Sequence, residues 1–254
     1  MGFMGNESLW RTKKMTNVGG KRRKGHLKED MEHWSQAEKD RFNRRNVITD
    51  VEFQEMLNHA QEIKDEFFRL RALACLCIFR LTGKRREEVA RLEMNDVKVE
   101  NNLLNLTFTL EKKRKQKVLT SQATKSIPLS DPLVSPILNF HKYLTMLKPS
   151  PKFFFPRIKS IFGHNIMLLE HHTSGRQLFN IIRSLSQEVW PHLFRETAAS
   201  DVVKSDPTII GAFKVQRRLD LEDYRTGFNY VKRFASDVIQ REIKELEQNA
   251  QAQT

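Results

Sequence analysis

Two cysteines, three tyrosines and no long apolar run are the scarcities of this 254-residue chain, and each one closes off a class of protein. Cys75 and Cys77 stand two positions apart inside the apolar run Leu73 to Leu81. On a helix they point to different sides, cannot bridge one another, and read as buried reduced thiols, so a disulfide scaffold is excluded. No apolar stretch approaches the roughly 20 residues that span a bilayer. The N-terminus carries charges and glycines where a secretory signal needs an apolar segment. The expected location is therefore cytoplasmic, with no membrane partner. The chain also lacks a G-x-x-x-x-G-K-[ST] loop, so no nucleotide site is expected. His164, His171 and His172 do not form a ligand pattern for zinc, given that both cysteines lie in an apolar helix, and neither a metal nor a cofactor is expected.

Positive charge is what the chain has in excess. Its net charge is +13 and its pI is near 9.8, a balance that favours a polyanionic partner because each neutralised phosphate releases counterions. A hydrophobic content of 39% still permits a real core. Residues 1–45 are rich in charge and poor in aliphatics, with Lys21, Arg22, Arg23 and Lys24 between glycines, and read as a flexible basic arm with a short helix from Ser35 to Arg45. Residues 46–254 then form the folded part.

The expected architecture is mainly α with a small antiparallel β-sheet (α+β). Thr49 or Asp50 caps a helix carrying Val51, Phe53, Met56 and Leu57. A second helix runs from about Asp65 to Leu81 and breaks at Thr82-Gly83, and Arg85 to Arg91 is helical again. Leu103 to Leu110 reads as a strand after the turn Asn101-Asn102, with further strands around Lys117 to Leu119 and Lys125 to Leu129, where Pro128 marks an edge. Helices follow over Pro136 to Leu147, Ser174 to Ser186, His192 to Val203, Pro207 to Arg217, and Glu222 to about Gln248. The segment after Phe153-Phe154-Phe155-Pro156 is expected to be a loop.

Three charged clusters carry chemistry. His192 and Arg195, three residues apart on a helix, aim an imidazole and a guanidinium at one small target, for which phosphate is the fitting group. Arg85 opens a helix after the Thr82-Gly83 break, with Glu88 placed to orient it. The run Glu111-Lys112-Lys113-Arg114-Lys115-Gln116-Lys117 makes a basic tip between two strands. Crowded like charges repel unless an anion is near, so the tip is read as a nucleic-acid contact. Near the C-terminus, Tyr224 and Tyr230 flank Thr226 and Gly227. A phenol is a weak nucleophile near neutral pH, and arginines that stabilise charge at phosphorus make it useful.

In this order the pieces resemble the catalytic domain of the tyrosine recombinase or phage integrase family, over roughly Ile48 to Arg233. Thr82, Gly83, Arg85, Glu88, Leu92 and Asp96 hold the family's first motif; Ser126-Ile127-Pro128-Leu129 resembles the strand that closes its hairpin; Phe154-Phe155-Pro156 and His192 with Arg195 match the second box. The resemblance implies a site-specific recombinase that cleaves and rejoins double-stranded DNA through a 3′-phosphotyrosyl intermediate. It implies Arg85, Lys113, His192, Arg195 and Tyr230 as catalytic residues, with Lys112 and Tyr224 as the alternatives for lysine and nucleophile. Lys21, Arg22, Arg23, Lys24, Lys112, Arg114, Lys115 and Lys117 are the expected DNA contacts, and a homo-oligomer on DNA, dimer or tetramer, is implied. A DNA-binding relative without catalysis and a type IB topoisomerase are the competing functions.

Three departures stand against the family pattern. Lys84 occupies the apolar position before the first arginine. Asp220-Leu221 replaces a glycine followed by histidine or tryptophan, which removes a hydrogen-bond donor and leaves Lys214 or Arg218 as its substitute. Only a short basic segment precedes Ile48 where many relatives carry a helical DNA-clamping domain.

Overall fold

Helix α1 (Asp50–Gln61) starts where it does because Thr49 and Glu52 cap each other. The Thr49 hydroxyl oxygen accepts from the Glu52 amide at 3.3 Å, and the Glu52 carboxylate accepts from the Thr49 amide at 3.0 Å. The computed structural model describes residues 47–114, 117–162, 164–231 and 234–235, which belong to one compact unit, Arg45–Thr254. The expected helix over Ser35 to Arg45 lies outside the described residues.

Helix α2 (Glu66–Thr82) is capped by Asp65 and stopped by Gly83 in the left-handed region. From Ala72 to Phe79 every residue is buried, so this helix is apolar on all sides and must sit at the centre. Around it pack α1, α4 (Val134–Met146), α5 (Gly175–Leu185) and α6 (Pro191–Ser205). Phenylalanines fill the gaps: Phe194 meets Phe79 at 5.8 Å and Phe53 at 6.1 Å, and Phe140 meets Phe154 at 5.2 Å, between ring centroids. Cys75 and Cys77 are buried free thiols whose pKa values burial pushes up to about 12, which keeps them protonated and unreactive.

After the short helix α3 (Arg86–Ala90) the chain makes a three-stranded antiparallel sheet in the order β1 (Val97–Glu100), β2 (Leu103–Arg114), β3 (Lys117–Pro128). Asn101 and Asn102 take positive φ values of 51° and 60° to turn β1 into β2, a conformation asparagine tolerates. Leu104, Leu106, Phe108 and Leu110 alternate inward from β2 onto the core. The two strands expected near Lys117 and Lys125 are one. Polar cross-strand pairs keep the intervening stretch extended on its outer face: Thr107 with Thr124 at 3.1 Å, and Ser126 donating to Asn105 at 2.6 Å. β3 is an edge strand, and Pro128 ends it.

The segment expected to be a loop is a second hairpin, β4 (Pro156–Ile161) and β5 (His164–His172). Its strands are mostly exposed and carry little alternation, so the sequence pattern hides them. Distant contacts hold the hairpin. Arg71, buried in α2, donates to Thr173 Oγ1 at 2.9 Å and to the Pro156 carbonyl at 3.3 Å, and Gln177 donates to the Ile158 carbonyl.

Helix α6 is buried over Leu193 to Ser200 because it faces two cores. Leu193 and Phe194 join the main cluster. Ala198, Ala199 and Val203 join a second one with α7 (Ile209–Leu219) and with Val231, Phe234 and Ala235. Residues 224–231 form the last described helix, α8. It begins two residues after the expected start, and residues 236–254, which hold the rest of the helix expected to about Gln248, lie outside the described residues.

Gly83 is where these parts meet. Its φ is +61°, and a Cβ there would stand 2.9 Å from Leu219 Cδ2 and 3.0 Å from Ala198 Cβ. Gly83→Ala should therefore destabilise by about 2–4 kcal/mol, from left-handed strain plus overpacking. Urea unfolding is the check, with a lower midpoint and an unchanged slope expected.

Candidate active site

The break after α2 sets the first arginine. Thr82 returns its hydroxyl to the Ile78 carbonyl at 2.6 Å, Gly83 reverses the chain, and Arg85 becomes the residue that opens α3. Glu88, nearly buried, takes the Arg85 backbone N–H on one carboxylate oxygen at 3.0 Å and its guanidinium on the other at 2.9 Å. Arg85 is thus aimed by its own helix while its side chain stays about half exposed.

Arg195 projects from α6 and is 3% exposed. One guanidinium nitrogen donates to the Gly83 carbonyl at 2.9 Å, and the other terminal nitrogen donates to the Leu219 carbonyl at 2.6 Å. The Tyr230 phenol is a further hydrogen-bond partner. Burial lowers the Arg195 pKa, the charge of Arg85 lowers it further, and Tyr230 and Glu88 oppose the shift. The group remains a cation, since guanidinium does not lose its proton in proteins.

A cavity of about 430 Å³ opens between these elements, and Arg85, His192, Arg195, Thr226 and Tyr230 line it. Trp190, Pro191 and His192 bring the N-terminal turn of α6 to its wall. That turn has no side-chain cap and no acidic residue, so its helix dipole favours an anion. His192 is exposed and pairs through Nε2 with Glu196 at 2.9 Å. Two arginines, a histidine and a helix N-terminus around one space suit a group the size and charge of phosphate. The Tyr230 phenol lines the same space.

Tyr230 reaches the cavity because α8 lies close on α7. Gly227 permits this approach: a Cβ there would stand 2.3 Å from the Ala212 carbonyl oxygen. Tyr224, on the same helix, is about half exposed, stacks on Phe213 with centroids 5.9 Å apart, and does not line the cavity. The side chains of Lys112, Lys113, Arg114 and Lys117 lie outside the described residues, as do Lys115 and Lys21 to Lys24. The backbone sets Lys113 opposite Val118 and Arg114 opposite Lys117 at the far end of the β2–β3 hairpin. His164, His171 and His172 all fall on β5.

The two proposed substitutes for the missing donor are not at the cavity. Lys214 is drawn to Asp206 at 2.7 Å, and Arg218 donates to the Leu81 carbonyl at 2.5 Å. The other two departures, Lys84 and Asp220, are related in a way that no local sequence pattern announces. Lys84, 1% exposed, makes an ion pair with Asp220 at 2.8 Å and lies 4.8 Å from the Phe108 ring centroid. Two unusual residues of opposite charge were the available signal.

The Phage integrase family model matches residues 46–235. Among solved structures, XerA recombinase is 17% identical with a TM-score of 0.50, covering 73% of this chain and 59% of its own. The XerH site-specific recombinase bound to palindromic difH substrate is 15% identical with a TM-score of 0.51, covering 79% and 53%. The chain thus spans a little over half the length of the solved structures it resembles, and the likeness is one of fold. No curated protein matches the sequence.

The two arginines differ in what they do for the fold. Removing Arg195 leaves the buried Gly83 and Leu219 carbonyls without their donors, so Arg195→Ala should cost about 2–5 kcal/mol. Arg85→Ala removes a half-exposed contact and should cost about 1 kcal/mol or less. Parallel urea titrations read the difference, and equal losses would contradict the assignment of Arg195 as the buried link.

Proposed function

The chain belongs to the phage integrase family, and from that premise we propose that it breaks and rejoins double-stranded DNA as a site-specific recombinase. The observation that carries this reading is the convergence of Arg85, His192, Arg195 and Tyr230 on one cavity. The phenol oxygen of Tyr230 attacks the phosphorus of a DNA backbone phosphate. A bond forms between that oxygen and phosphorus, the bond to the 5′ oxygen breaks, and the DNA is left with a 3′-phosphotyrosyl link and a free 5′ hydroxyl. Arg85 and Arg195 balance the charge that builds on the non-bridging oxygens, the source of most of the rate gain in such a site. The hydrogen bond from Arg195 to Tyr230 favours the phenolate as it forms.

Lys113, or Lys112 beside it, gives a proton to the departing 5′ oxygen from the tip of the β2–β3 hairpin, and the proton that the Tyr230 phenol gives up passes to His192 or to solvent water. Because the phosphotyrosyl bond keeps the energy of the broken one, rejoining requires only attack by a 5′ hydroxyl. A net charge of +13 and the basic hairpin supply the sequence-independent part of DNA binding. Residues 46–254 act as the catalytic domain and residues 1–45 as a basic arm along the DNA, and the protein works as a dimer or tetramer on its site.

The test is covalent capture. The full chain is incubated with a pool of nicked duplexes of randomised sequence, and adducts that survive detergent are recovered and sequenced. Capture should be abolished in Tyr230→Phe and retained in Tyr224→Phe. Arg85→Ala and Arg195→Ala should each slow it by about 10²–10³-fold. Capture that persists in Tyr230→Phe, or a wild-type chain that never forms an adduct, defeats the reading. Relaxation of supercoiled plasmid irrespective of sequence would move it to a topoisomerase.

A further inference from the structure

The two backbone carbonyls that grip Arg195, those of Gly83 and Leu219, each sit one residue from a member of the same ion pair, Lys84 and Asp220. We propose that Asp220 is a positioning residue that holds the Arg195 guanidinium in the cavity by clamping the end of α7 to the turn after α2. This inference rests on the recombinase reading for its consequence in catalysis, though the clamp itself is a property of the fold.

Asp220 ends α7 in the left-handed region, with φ and ψ both at 49°. Its carboxylate receives two ammonium groups: Lys84 at 2.8 Å from the turn and Lys125 at 2.9 Å from β3. Lys125 also donates to the Arg217 carbonyl at 3.0 Å, and Arg218 donates to the Leu81 carbonyl. Four cationic side chains, Lys84, Lys125, Arg195 and Arg218, therefore gather where α7 ends, and the helix dipole favours them there. Among these cations Asp220 is the acid that both lysines touch. The Lys84 contact is a buried ion pair, so much of its strength is Coulombic and depends on the carboxylate charge.

The role of each partner is unequal. Lys84 is buried in the cavity wall against Asp220 and the face of Phe108, and burial lowers its pKa while Asp220 and, less strongly, Glu88 raise it. Lys125 is mostly buried but retains a solvent-facing edge and the Arg217 carbonyl. If the carboxylate loses its charge, two ammoniums confront each other and Lys84 loses its nearest counter-charge, with only the more distant Glu88 left to oppose its burial, so the end of α7 is driven from the turn. The Leu219 carbonyl moves with it, and Arg195 loses one of its two carbonyl anchors. Neutralising Lys84 as well removes the conflict, since Lys125 can turn outward.

The experiment compares the full-length wild type with Asp220→Asn, Lys84→Met and the double variant, each checked for folding by circular dichroism and urea unfolding. Asparagine keeps the volume and accepts the left-handed backbone. On a nicked duplex recovered by covalent capture, Asp220→Asn should slow single-turnover adduct formation by about 10–100-fold, the cost of a small misplacement. Affinity for an uncleavable duplex should change by less than about threefold, since the loss falls on the transition state. The double variant should recover to within about fivefold of wild type. In parallel, the Arg195 side-chain N–H resonance in ¹⁵N spectra should shift and exchange faster in Asp220→Asn and return in the double variant. An unchanged rate and resonance in Asp220→Asn overturns the proposal, as does a rate loss matched by an equal loss of affinity, or a double variant no better than the single. A wild-type chain that forms no adduct refutes the recombinase reading instead, and the resonance then decides the clamp alone.

Discussion

The buried guanidinium of Arg195 is the link on which the rest of the arrangement depends. It joins three separate pieces of chain, α6 that carries it, the turn after α2 through the Gly83 carbonyl, and the end of α7 through the Leu219 carbonyl. Its direct partners among the described residues are carbonyl dipoles and the Tyr230 phenol rather than a carboxylate. Dipoles fix the position of the charge without cancelling it. The field that a phosphate would meet in the cavity is therefore largely intact, and burial strengthens it.

The surrounding charges follow a different rule. Arg85 has Glu88, His192 has Glu196, and Lys84 with Lys125 share Asp220. Glu88 and Glu196 sit on the inner side of their partners and set their direction, whereas Asp220 lies outside the more deeply buried Lys84. A site crowded with cations can exist in the folded state because most of its repulsion is compensated locally. Helix α6 makes this possible mechanically: with one face in the main core and another in the smaller cluster, it holds His192 and Arg195 rigidly between two packed regions.

Where sequence reasoning failed, the cause was tertiary. The β4–β5 hairpin has no clear alternation and is held by Arg71 and Gln177 from distant helices, so no local pattern announces it. The polar stretch of β3 breaks the hydrophobic pattern, and its continuity comes from cross-strand hydroxyl and amide pairs that only register reveals. Lys214 and Arg218 have the right chemistry to replace a missing donor, yet each is captured by a nearer partner.

What the chain alone determined were features of short range. The Thr49 and Asp65 caps, the left-handed stop at Gly83, the all-apolar α2, the inward alternation of β2, and the shared face of His192 and Arg195 each follow from rules that act over a few residues. Of the residues that line the cavity, Arg85, His192, Arg195 and Tyr230 were legible through the resemblance of motifs in order, whereas Trp190, Phe179 and Glu87 were not. Tertiary structure alone decided that Tyr230 rather than Tyr224 lines the cavity, because a close contact at Gly227 sets how α8 meets α7. It also decided that Lys84 and Asp220, far apart in sequence, become one ion pair. Charge complementarity between remote positions carries no local signature, and only packing brings it within reach of Coulomb attraction.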